Sequence, residues 1–98
     1  MHQTVKAIVI HKKDTVATAL EPLHTGVEIL VETQNRTEKI KLVDEIPAGH
    51  KFALINIEVG TDIIKYGEPI GQSTAKIARG EHVHRHNVSS RTKQESGQ

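Results

Sequence analysis

Three histidines occupy alternate positions in Gly80-Glu81-His82-Val83-His84-Arg85-His86-Asn87. Run as a strand, this stretch would point all three imidazoles to one face and Glu81 to the other. Neighbours at i, i+2 are then about 6.6 Å apart along the strand, close enough for two imidazoles to share a metal ion. The outer pair spans roughly 13 Å, so seating His82, His84 and His86 on one ion is harder, and a further ligand would have to come from elsewhere. The plain alternative is a solvated or interface row of histidines at a strand end, with Asn87 beside it. His50 follows Gly49 and would sit in a turn. There it can serve as an acid–base group or an anion donor, or simply bond the backbone of its own turn. Lys65 and Glu68 flank Tyr66-Gly67. They can contact an acidic substrate or a partner, while Tyr66 can be core with its hydroxyl at the rim. His2, His11 and His24 read as terminal, strand-end and loop residues. The chain carries no P-loop, dinucleotide fingerprint or nucleophile motif.

These side chains need a scaffold, and the sequence supplies one pattern three times: an aliphatic residue, two spacers, glycine, two spacers, an apolar residue. The copies are Ile46…Gly49…Phe52, Ile57…Gly60…Ile63 and Ile77…Gly80…Val83. Each reads as a β segment, a glycine turn and a second β segment, because glycine accepts positive φ without a Cβ clash. The copies are 11 and then 20 residues apart, too irregular for a solenoid. Upstream, the β-branched run 6–11 predicts a first strand. Asp14 is a good N-cap, and the Val16, Ala19, Leu20 spacing predicts one short helix near residues 14–20. Residues 27–32 and 39–43 predict a hairpin with Asn35 in its turn. Residues 52–57, 62–66, 72–77 and 82–86 complete the set, with a sharp reversal at Glu68-Pro69-Ile70. The sum is a mainly-β domain over residues 1–87, followed by a polar, disordered tail over 88–98.

Composition narrows the possible functions. The chain has 98 residues, enough for one domain with a modest core. Phe52 and Tyr66 are its only aromatics, so the core must be aliphatic, which leaves room for a stabilising partner or a homo-oligomer. Net charge is +1 with mixed signs, which argues against nucleic-acid binding. Cysteine is absent, which excludes disulfides, thiolate chemistry and cysteine-based zinc sites. No apolar run suggests a membrane span or signal peptide, so a cytoplasmic location is the expectation.

Four ordered blocks together resemble a known family. They are Asp14-Thr15-Val16-Ala17-Thr18-Ala19-Leu20, Ile46-Pro47-Ala48-Gly49-His50-Lys51, Ile64-Lys65-Tyr66-Gly67-Glu68-Pro69-Ile70-Gly71 and Gly80-Glu81-His82-Val83-His84-Arg85-His86-Asn87. They resemble the N-terminal SAF-type domain of altronate and galactarate dehydratases, which also occurs as the small subunit of sulfolactate sulfo-lyase. The resemblance implies a β-clip fold and a role as the small subunit of a lyase acting on an acidic sugar or sulfonate. It further implies a separate large catalytic subunit, a divalent metal (iron) in the assembled enzyme, and little activity for this chain alone. With the family in view, His50, His84 and His86 are the candidate catalytic residues, and Lys65, Glu68 and Asn87 the candidate substrate contacts. His82, His84 and His86 remain the candidate metal ligands. The competing expectation is a stand-alone SAF binding module without catalysis.

Overall fold

A computed structural model describes residues 6–33 and 37–90. His2, the Asn35 turn and the part of the tail beyond Ser90 lie outside the described residues. Nine strands follow in chain order: β1 Ala7–Ile8, β2 Val16–Ala19, β3 Glu28–Glu32, β4 Thr37–Lys41, β5 Lys51–Ala53, β6 Asp62–Lys65, β7 Glu68–Ser73, β8 His82–Val83 and β9 Val88–Ser90. They form a six-stranded sheet in the order β4-β3-β1-β2-β5-β8 and a three-stranded sheet in the order β6-β7-β9. Among the described strands, only β1 and β3 pair in parallel. The fold is the mainly-β architecture expected, and β9 carries ordered strand structure past Asn87 to Ser90.

The helix expected near residues 14–20 is not formed; Val16–Ala19 is strand β2. The reason is tertiary. β2 pairs with β1 on one side and β5 on the other, and Val16, Ala17 and Ala19 are all buried. A strand buried on both faces shows no period-2 alternation, so its alanines read as helix formers until the pairing overrides them. Asp14 still satisfies backbone N–H groups, but not those of a helix. Its Oδ2 accepts from His11 N–H at 3.0 Å and its Oδ1 from Gly67 N–H at 2.8 Å. The second bond anchors the β6–β7 hairpin. That hairpin reverses at Tyr66 (φ 56°) and Gly67 (φ 78°), not at Glu68-Pro69-Ile70 as expected. Positive φ at both central residues is the mark of the two-residue turn that matches strand twist.

The glycine pattern builds four like turns, not three, since Leu23…Gly26…Ile29 belongs to the set; Ile64…Gly67…Ile70 has the same spacing but forms the β6–β7 hairpin turn. Gly26, Gly49, Gly60 and Gly80 all have φ between 80 and 88°, the value at the third position of a type II turn. The four units interlock in two reciprocal pairs. Leu23 and Ile46 exchange backbone hydrogen bonds, and so do Ile57 and Ile77. Four residues before each of these bridge residues stand Ala19, Leu42, Ala53 and Ser73. Each accepts from the partner unit's turn glycine and donates to the carbonyl of the residue after it: Ala19 with Gly49 and His50, Leu42 with Gly26 and Val27, Ala53 with Gly80 and Glu81, Ser73 with Gly60 and Thr61.

Each pair closes on its own core. The first holds Ala17, Ala19, Leu23, Ile29, Leu42, Ile46 and Phe52, among others. The second holds Val16, Ala53, Ile57, Ile63, Ile77 and Val83. β2 and β5 form the partition, because neighbouring residues on each (Val16 and Ala17, Phe52 and Ala53) point into opposite cores. The two halves are stitched where β5 pairs with β8.

Candidate functional site

The seam between the halves is where the histidines meet. On the first half, the turn Pro47-Ala48-Gly49-His50 closes with His50 N–H donating to the Pro47 carbonyl, while the His50 carbonyl accepts from Ala19 N–H. The His50 backbone is therefore held from both sides. On the second half, His82 lies in β8 opposite Phe52, and its N–H donates to Asp44 Oδ2 at 3.0 Å. Beyond Val83 the chain does not continue as the strand expected over 82–86; it turns. Asn87 makes the turn. Its Oδ1 accepts from His84 N–H at 3.0 Å, its Nδ2 donates to the His82 carbonyl at 2.9 Å, and its own N–H returns to the His84 carbonyl. Asn87 is only 4% exposed, with both ends of its amide engaged by the turn.

The result is a stack of imidazoles. Ring centroids lie 4.3 Å apart for His50 and His84, 5.1 Å for His50 and His82, and 5.5 Å for His82 and His84. His86 is exposed and tilted over His82 at 5.2 Å. His50 Nδ1 and His82 Nε2 are 2.9 Å apart, so one nitrogen carries a proton and the other accepts it. Burial lowers the His82 pKa below the ordinary histidine value, and the neighbouring His86, His50 and His84 push the same way; Asp44 opposes them. His84 is lowered as well, first by partial burial, then by His50, Lys51, Arg85 and His86. Both shifts favour neutral imidazole, the form that donates lone pairs.

A shallow groove of about 290 Å³ adjoins the stack, lined by Lys51, Ile70, His84, Arg85, Val88 and Ser90. Burial lowers the Lys51 pKa, and the charge of Lys65 adds to it. Lys65, in β6, is half-buried with its Nζ 4.7 Å from the Tyr66 ring centroid. Glu68 is exposed, paired in register with Lys65 across the hairpin turn.

The structure thus brings together His50, His82 and His84, with His86 at the edge. It sets Lys65 within electrostatic reach of Lys51, and Asn87 behind the turn. Sequence reasoning passed over Lys51 and Arg85, although each adjoins a candidate histidine. His50, His82 and His84 offer nitrogen ligands all within 4.8 Å of one another, a donor set that suits a divalent transition metal.

Among the described residues, strands joined by interlocked glycine turns, with a polar cluster on the seam, define a small β-clip domain. The comparisons give its family. The model for the altronate/galactarate dehydratase SAF domain matches residues 5–91, and the chain belongs to that family. The chain is 49% identical over 81 residues to altronate dehydratase of Escherichia coli (strain K12), covering 83% of this chain and 16% of that protein. It is 40% identical to altronate dehydratase of Bacillus subtilis (strain 168), with the same coverage. It is also 43% identical over 58 residues to (2R)-sulfolactate sulfo-lyase subunit alpha of Chromohalobacter salexigens, covering 59% of this chain and 62% of that subunit. The chain therefore spans about a sixth of the altronate dehydratases it matches. Among the described residues, no helix is long and apolar enough to cross a membrane.

Proposed function

We propose that this chain is the SAF component of a cytoplasmic carbon–oxygen or carbon–sulfur lyase and works with a separate large catalytic subunit on an acidic, sugar-derived substrate. The observation that carries the reading is the histidine stack opening on a groove bordered by Lys51 and Arg85. Two cationic side chains suit a carboxylate or sulfonate, and the imidazoles beside them suit proton transfer. Similarity to a protein named as a subunit supports the two-chain arrangement.

The elimination takes a proton from the carbon next to a carboxylate. The C–H electron pair forms the new double bond, and hydroxide or sulfite departs from the adjacent carbon with its own electrons. Lys51, Arg85 and Lys65 hold the anionic end. Glu68 can accept from a substrate hydroxyl, and Asn87 keeps His82 and His84 in place. Among His50, His84 and His86 lie the ligand, proton-donor and substrate-contact roles, and the exposed His86 is the group that holds or moves the proton. A divalent metal, iron in the family expectation, would polarise the carboxylate or the departing oxygen when bound.

The test is to capture the partner with the tagged chain and assay the complex on altronate, galactarate and sulfolactate. His84→Ala and His86→Ala are expected to lower kcat about 100-fold or more while the complex still forms. Unchanged kinetics in both variants remove these residues from the mechanism. A chain that captures no dehydratase-like subunit and supports no elimination is a stand-alone binding module instead.

A further inference from the structure

We infer that His50, His82 and His84 form a site for one divalent transition metal that ties the two halves of the fold together. The inference deepens the reading of the histidine cluster given above and rests on it for the substrate side only. Two nitrogen ligands about 2.1 Å from one ion lie about 3.0–3.4 Å apart, depending on the coordination angle. His50 Nδ1 and His82 Nε2 already stand 2.9 Å apart, and the third nitrogen completes a set within 4.8 Å. Closing that set asks for side-chain adjustment, not refolding. Three imidazoles without a carboxylate favour zinc, iron(II), cobalt or nickel over magnesium or calcium.

The ligands come from different units. His50 follows the turn glycine of the first half, whereas His82 and His84 follow that of the second, locked by Asn87. An ion on all three would cross-brace the two cores where β5 meets β8. His84 also lines the groove, so an open coordination position beside it lies within reach of an anion held by Lys51 and Arg85. In this arrangement His50 and His84 act as ligands and His86, outside the set, remains the proton carrier.

The experiment uses the untagged 98-residue chain, stripped with chelator, and titrates Zn²⁺ by calorimetry and Co²⁺ by visible absorption. One equivalent should bind, and at a hundredfold excess over Kd the thermal midpoint should rise by about 10 °C. His50→Gln, His82→Gln and His84→Gln should each weaken binding about 100-fold and remove the thermal shift, with far-ultraviolet dichroism confirming folded variants. His86→Gln and His24→Gln should bind as the parent does. No saturable binding overturns the site. So does a loss in His86→Gln while His50→Gln binds as the parent does, which would place the ion on the second half alone. Because no partner or substrate is present, failure here is distinct from failure of the elimination assay.

Discussion

The two halves of the molecule use one backbone device with different side chains. In both, a pair of turns is clasped by a reciprocal bridge, Leu23 with Ile46 in the first and Ile57 with Ile77 in the second. The residue after the turn glycine is Val27, His50, Thr61 or Glu81, and the next is Glu28, Lys51, Asp62 or His82. Only the second turn of each pair brings histidine to these positions, and these are the two units that meet at the β5–β8 seam. The backbone device gives the fold, and a few substitutions at equivalent positions beside one seam give the candidate chemistry.

The sharpest way to break the equivalence is at the glycines. All four hold positive φ, but their surroundings differ. A Cβ on Gly26, Gly49 or Gly60 would meet nothing within 4 Å, whereas on Gly80 it would fall onto the Lys41 carbonyl oxygen. Gly60→Ala should therefore cost only the backbone strain, about 1–2 kcal/mol. Gly80→Ala should cost about 4 kcal/mol or more, or prevent folding, because the oxygen it strikes belongs to the other half's backbone. Urea denaturation of the two variants measures the difference; equal losses would mean that the halves do not press together at Gly80.

A smaller effect sharpens the role of the turn after β8. Asn87→Ala should destabilise the chain by about 1–2 kcal/mol, since it leaves part-buried backbone groups of His82 and His84 without their partner. It should also weaken metal binding about 10-fold without removing a ligand. A variant with lowered stability and unaltered metal affinity would separate the turn from the site.

The smallest effect distinguishes two equivalent links. Glu45 Oε2 accepts from Thr25 N–H in the first half, and Asn56 Oδ1 accepts from Arg79 N–H in the second. Only the first titrates. The Thr25 N–H, then the hydrogen bond from His24, lowers the Glu45 pKa below the ordinary carboxylate value. A depressed folded pKa gives stability that is present above the unfolded value and lost as pH falls through the folded one. The stability gap between the parent and Glu45→Gln should therefore shrink on acidification from pH 7 to pH 3, followed by thermal melts. Asn56→Asp should introduce a similar acid dependence into the second half.

Much of this organisation was legible in the chain. The β3–β4 hairpin follows from alternating Ile29, Val31 and Ile40, and three of the four glycine units follow from their spacing. The Leu23 unit has the same spacing but lay hidden behind the short helix expected near residues 14–20. That error is physical. β2 is short, alanine-rich and buried on both faces, so no local period announces it. The histidine row was legible as a cluster but not as a geometry. Alternation predicted one strand face, yet Asn87 folds the chain back after Val83, and His50 enters from 32 positions away. Neither event has a local signature, since both depend on which turn clasps which.

The reciprocal bridges also set how the chain can fold. Leu23 and Ile46 are 23 positions apart, and Ile57 and Ile77 are 20. A turn closed on its own gains one local hydrogen bond, while its glycine N–H and the carbonyl after it wait for a distant unit. Loop closure must come before those bonds can form, so isolated units should be unstable and each clasp should form all or none. Slow folding for a chain of this size, with no separately populated half-clasp, is the kinetic signature of that wiring.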